Sequence, residues 1–394
     1  MSKITFWGVI ASPYQLKMQA LADHAHLTWQ RWPDQAGHLN AIRTALRLHR
    51  ARGAQQIARY PKRIDGLDEY PAVPYYSFDG KQFYYDSSGL AYHLDELGLT
   101  QQPLLPEDSL QRFACQLIDE AFDEFGLYMV HHNRWVNSAA TNCMGEVTAR
   151  EFRKLAPPGV RGRIARALPE RQVRRCPYLF SVAPAGLDIG MPEKLTPPAR
   201  PGFPPTHEIL DSAWRGYLAA MEQVLALQPF LLGERFTLAD ASAYGQLSMN
   251  LIDGRSAEML AELAPRTFRW LCGIRDGEHR KSSGELFISE RLTPLLEMIG
   301  RTFVPLMQQN HAAYLAATAA GQTLFNEAAF DKNAALYSGE LLNMPYRAVV
   351  KSFQIPVWRD ICCAWRSLSP NQQAQLQALS PTMTNDCFGD LTDA

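Results

Sequence analysis

Two short stretches combine residue types that stabilise negative charge. Ser12-Pro13-Tyr14 closes the apolar run Ile4 to Ile10 and precedes a helical pattern from Gln15 to His24. A hydroxyl there stands beside the N–H groups and positive dipole end of a helix, which favours an anion such as a thiolate. Serine is also a routine helix cap, so the turn alone does not separate chemistry from folding. At Asp86-Ser87-Ser88 a second helix opens and runs through Glu96; the first side chains cap it, and its remaining N–H groups offer a seat for a carboxylate. The seven cysteines (115, 143, 176, 272, 362, 363 and 387) include no C-x-x-C pair and leave one odd. Neither a disulfide framework nor a zinc site is signalled, and no metal is expected.

The elements that must position these residues are legible in outline. Ile4 to Ile10 reads as a buried strand, Trp29 to Trp32 as a second, and Asn40 to Arg59 as a helix with Arg43, Arg47 and Arg50 on one face. Ala72 to Phe78 is a third strand. Asp79-Gly80 is a strong hairpin signal, with Phe83 to Tyr85 returning. After Pro106 the pattern turns helical. Ser109 to Leu155 predicts one or two long helices and Thr206 to Leu227 another, while Thr237-Leu-Ala-Asp240 has the form of a capping box ahead of a helix through Leu251. Residues 157–205 hold eleven prolines and read as an irregular insertion. Later helices are expected at Pro265 to Ile274, Ser289 to Ala319, Val357 to Leu368 and Pro370 to Leu379.

The composition excludes several classes. With 394 residues, 46% hydrophobic and 20% charged, the chain has globular composition and room for two or three domains. No run of 18 uncharged apolar residues occurs, so no membrane span is expected. Lys3 and the apolar run after it imitate a secretory signal, but the run is short and lacks an A-x-A site, so a cytoplasmic protein with reduced thiols is expected. The net charge of −1 hides two basic stretches, Ala41 to Arg63 with seven Lys or Arg and no acid, and Arg150 to Arg175 with nine against two acids. These suit anionic small molecules, or are solvated faces. The second lacks interleaved aromatics, so nucleic-acid binding is not favoured.

Taken in order, these features (strand, Ser-Pro-aromatic turn, helix, Tyr70-Pro-Ala-Val-Pro74, hairpin, Asp86-Ser87 helix start, then helices carrying Phe236-Thr-Leu-Ala-Asp240) resemble the cytosolic glutathione transferase superfamily. The resemblance covers residues 4–97 and, with interruptions, 106–275. It implies an α/β thioredoxin-like domain over 1–100, a larger all-α acceptor-binding domain over 106–283 interrupted by 157–205, and a helical extension over 284–394. It also implies glutathione as ligand, a small electrophile as second substrate and a homodimer.

Within that resemblance Pro74 is the family's cis proline and the Val73 backbone pairs with the cysteinyl part of glutathione. Asp86 and Ser87 bind its γ-glutamyl end, and Lys62 or Arg63 its glycyl carboxylate. Ser12 matches the hydroxyl donor of serine-type members; with no cysteine at that place, thiol exchange is disfavoured. A free thiol of pKa about 8.5 is only about 3% thiolate at pH 7, and lowering it by about two units takes roughly 2.7 kcal/mol. Tyr14 is an alternative donor, or its ring packs. Tyr128, His131, His132 and Trp135 stand at i, i+3, i+4 and i+7 of a helix that would line the acceptor cleft; the same residues would equally serve as two partly exposed histidines and a core tryptophan. The chain also departs from the family: Ser12 and Pro74 are 62 residues apart, longer than is usual, and the insertion and extension have no standard counterpart. A glutathione transferase-like binding or scaffold protein without turnover is the rival reading.

Overall fold

A computed structural model describes residues 3–62, 67 and 71–389. β1 (Lys3–Trp7) pairs in parallel with β2 (Thr28–Trp32) and antiparallel with β4 (Tyr75–Ser77). β5 (Tyr84–Tyr85) is antiparallel to β4 and parallel to β3 (Ala58–Arg59), which gives the order β2-β1-β4-β5-β3. Alternation along the strands divides their side chains between two layers. Ile4, Phe6 and Tyr76 join the main core with Leu16 and Leu21 of α1 (Pro13–His24) and Leu90 of α3 (Ser87–Glu96). Trp7 and Tyr75 point the other way, onto Leu48 of α2 (His38–Gly53). This is the α/β thioredoxin-like unit that the sequence implies. Strand β3 was not foreseen, since two residues are too few to show alternation; α2 ends at Gly53 rather than Arg59 and frees the chain to supply it.

The rest is mainly helical. Residues 109–137 form one continuous helix, α4, whose hydrogen-bond ladder widens over Ala121–Gly126 and Asn133–Asn137. α5 (Met144–Glu151) and α6 (Pro158–Arg174) follow and pack on each other. α7 (His207–Val224) and α8 (Leu238–Leu247) are the helical centre, and the Thr237–Asp240 capping box forms as expected. α1 docks on α8 at Gly245, where a Cβ would stand 2.9 Å from the Pro13 carbonyl oxygen and 2.8 Å from the Lys17 Cβ. α9 (Gly254–Leu263) and α10 (Pro265–Arg275) complete this body. No helix of the described residues is long and apolar enough to cross a membrane.

Two expectations need correction. The 157–205 insertion is not irregular throughout, because α6 occupies its first third. Pro158 sits in the first turn, where its missing N–H costs nothing, and Pro169 is accommodated inside a helix that buries only Val173. The extension is not purely helical either. After α11 (Thr293–Arg301), α12 (Phe303–Ala319) and α13 (Asn326–Asp331), β6 (Leu336–Leu341) and β7 (Met344–Val349) form a hairpin. Its two-residue turn is Leu342-Asn343, both at positive φ (52° and 62°). That backbone is usually signalled by Asn-Gly or Asp-Gly, and Leu-Asn carries no such turn cue. α14 (Gln354–Arg366) and α15 (Pro370–Leu379) then seat the extension on α4, where Trp365 lies 5.4 Å from Phe113 and 4.6 Å from Phe388, centroid to centroid.

Candidate active site

One cavity of about 920 Å³ opens between the sheet domain and the helices. From the sheet side it is lined by Ser12, Tyr14, Val73, Pro74, Asp86 and Ser87; from α4 by Tyr128, His131 and Trp135. Residues far apart in sequence therefore meet on one surface of a size suited to a ligand.

Each sheet-side residue is placed by its element. Ser12 is the residue before α1, yet its hydroxyl makes no capping bond; the Gln15 N–H that a cap would accept donates to the Ser12 carbonyl instead, as does the Leu16 N–H. The side chain is buried, lines the cavity and has no hydrogen-bond partner among the described residues. Val73–Pro74 is a cis peptide. Among the described residues the N–H and carbonyl of Val73 have no backbone partner, so this peptide forms an unused edge beside β4.

Asp86 caps α3. Its Oδ1 accepts from Gly89 N–H at 2.9 Å and its Oδ2 from Arg59 Nε at 2.5 Å. Its φ is +78°, a conformation that costs a non-glycine residue about 1–3 kcal/mol and gathers at functional sites. Gly89 allows the approach of β3: a Cβ there would fall 2.0 Å from the Tyr60 carbonyl oxygen. Ser88 turns inward instead, to a buried cluster in which Lys17 Nζ reaches Ser88 Oγ at 2.7 Å and Asp119 and Asp123 at 2.6 Å each. Burial alone would depress the Lys17 ammonium, but the two carboxylates outweigh it and hold it above its ordinary value. Burial pushes Asp123 up to about 6 despite that cation.

Several expected residues are placed differently. Tyr14 lines the cavity, but its phenol donates to the Asp123 carbonyl at 2.9 Å, and burial raises its pKa well above the ordinary value. It is a packed, neutral wall. Lys62 is exposed and does not line the cavity, and Arg63 lies outside the described residues. Among the cations that do line the cavity is Arg59, carried in by the unforeseen β3 and paired with Asp86. His132 is not in the cleft: its Nδ1 meets Ser181 Oγ at 2.9 Å and its Nε2 lies 3.4 Å from Asp211. The reason is helical phase. Over the regular stretch Leu127–His132 each residue turns about 100°, so Leu127 and His131 face the cavity while His132 stands a full step off. The missed acids Glu120 and Glu124 line the cavity too. Burial, followed by the neighbouring charge of Asp119, pushes Glu120 well above the carboxylate range, and burial holds His131 down to about 3, as a neutral imidazole.

The cavity also receives residues from the two unusual segments. α6 and the chain after it contribute Arg171, Arg175 and Tyr178, and the extension contributes Lys351 and Phe353. Sequence periodicity gave no signal for these, since the segments reach the cleft only through tertiary packing.

Residues 204–271 match the family model of the glutathione S-transferase C-terminal domain, a segment running from the chain before α7 into α10. No curated protein matches the chain. Among solved structures the chain is similar to the β-etherase LigF from Sphingobium sp. strain SYK-6, with 14% identity and a TM-score of 0.40 over 71% of this chain and 100% of that one. It is also similar to a glutathione S-transferase of Ceriporiopsis subvermispora in complex with glutathione, with 15% identity and a TM-score of 0.38 over 72% and 99%.

Proposed function

Starting from a chain that joins the glutathione S-transferase superfamily through residues 204–271, we propose that it is a glutathione-dependent transferase or lyase that activates the glutathione thiol for attack on a small hydrophobic or acidic electrophile. The observation that carries this reading is the meeting, in one cavity, of the unpartnered Ser12 hydroxyl, the unpaired Val73 peptide and the capped start of α3. An extended thiol peptide fits those three features in turn. Its γ-glutamyl carboxylate lies on the α3 N-terminus with Ser87, and its ammonium approaches Asp86. Its cysteinyl backbone pairs with Val73, and its sulfur comes to Ser12, whose O–H donates to the thiolate and stabilises it over the thiol. Seven free cysteines fit a cytoplasmic setting for this chemistry.

Calorimetric titration of glutathione into the wild type, Asp86→Asn and Asp86→Ala tests the ligand assignment. Asparagine still caps a helix, so Asp86→Asn keeps α3 and removes only the charge. Wild-type binding that both variants weaken by about tenfold or more supports the reading. No wild-type binding up to millimolar glutathione sinks it and favours a scaffold role.

A further inference from the structure

We propose that the acceptor end of the cleft is a site for the carboxylate of an aromatic acid, with Lys351 of the extension as its cation and Tyr128 and Tyr178 as the walls of its ring. The inference rests on the glutathione reading for the reaction it serves, but not for the site itself.

Lys351 lies between β7 and α14 and is only 5% exposed, yet it lines the cavity. Its backbone is held on both sides: its N–H donates to Asn310 Oδ1 at 2.9 Å and its carbonyl accepts from Asn310 Nδ2 at 3.0 Å. The next residue is pinned likewise, Ser352 N–H donating to Asn326 Oδ1 at 2.8 Å. The side chain is therefore placed by a rigid frame. Its Nζ stands 4.1 Å from the Tyr128 ring centroid and 4.9 Å from that of Tyr178, and it donates to the Tyr128 oxygen.

That bond uses one of three ammonium donors, and among the described residues Lys351 has no carboxylate within ion-pair distance. The groups facing it are otherwise engaged. Glu124 accepts from Gln354 Nε2 at 2.8 Å, and Glu327 is paired with Arg175 Nε at 2.7 Å. Gln354 Nε2 also lies 3.3 Å from the Tyr128 oxygen as a second donor, which leaves the phenolic O–H to donate elsewhere. A buried cation without a counter-ion is costly, and a ligand carboxylate removes that cost while meeting two donors at once. Ring faces around the ammonium and Phe353 and Trp135 on the cavity wall select an aromatic body.

Burial lowers the Lys351 pKa to about 7, Glu124 and Glu327 opposing and Arg175 assisting. The free site thus holds its charge below about pH 7 and loses it above. A bound carboxylate restores the charge, so binding above that pH draws in a proton, and affinity declines as pH rises.

The test compares S-(4-carboxybenzyl)glutathione with its 4-carbamoyl analogue by calorimetry on the full chain, in two buffers of different ionisation enthalpy. 4-Methylbenzoate and 4-methylbenzamide serve as glutathione-free probes. We expect the carboxylate of each pair to bind about tenfold tighter below pH 7. That preference should fade above it with uptake approaching one proton, and Lys351→Met should abolish both. Equal binding of acid and amide by the wild type overturns the proposal, as does a preference that survives in Lys351→Met. Should that variant not fold, the wild-type pH profile and proton count decide by themselves. If neither glutathione adduct binds while 4-methylbenzoate does, the glutathione reading fails and the carboxylate site stands.

Discussion

Ser12 shows how one residue changes meaning between sequence and structure. As a letter it is a common cap; in the fold the Gln15 N–H goes to its carbonyl, and among the described residues the hydroxyl has no partner in the cavity. Removing a single donor of this kind costs an enzyme about 10²–10³-fold in kcat. Ser12→Ala should lower turnover with a reactive aryl halide on that scale and leave the glutathione KM nearly unchanged. A pH titration of the bound thiol's ultraviolet absorbance should show its pKa returning toward about 8.5. A full-rate Ser12→Ala would remove the assigned role. The residues at 12, 73, 74, 86 and 87 were readable because their short patterns, taken in order, carry the family resemblance that implies their roles. Arg59 and Lys351 were not, since a lone cation carries no sign of what it faces.

At the scale of elements, the packing of α1 on α8 sets where Ser12 stands, and Gly245 is its point of closest approach. Alanine there gains up to about 1 kcal/mol in helix propensity. It also drives a methyl into the Pro13 carbonyl and Lys17, and such overpacking costs about 1–3 kcal/mol. The collision should win, so Gly245→Ala lowers the urea midpoint and, by displacing Pro13, weakens glutathione turnover. An unchanged midpoint would show that α1 yields freely. Helices with a capping box or an apolar stripe, α7 and α8 among them, were visible in sequence. The β6–β7 hairpin was not, because its turn, Leu342-Asn343, lacks the usual glycine.

For the whole molecule, the seam between the sheet domain and the helical body is held by Lys17 of α1, which is shared among Ser88 of α3 and Asp119 and Asp123 of α4. Breaking such a buried cluster from one side leaves charge uncompensated and costs about 3–5 kcal/mol. Lys17→Met should lower unfolding stability by that order in denaturant titration. Asp123 stands at about 6 with Lys17 beside it and higher without it, so the loss should shrink as pH falls toward about 6, where the variant's carboxyl takes its proton before the wild type's does. Adding Asp119→Asn and Asp123→Asn should recover part of it. If Lys17→Met is neutral, the seam is held by apolar contact alone.

The sequence by itself determined the local elements and the order of α/β unit and helices, because these depend on neighbours within a few residues: alternation, capping, turn chemistry. The grouping of Ser12, Val73-Pro74 and Asp86 was what the family resemblance implied. The tertiary structure alone decided which face of α4 borders the cavity, which arginine pairs with Asp86, and that a lysine 339 residues after Ser12 enters the same cavity. Those outcomes follow from helix phase and from the packing of distant segments. Neither leaves a trace in a window of sequence short enough to read.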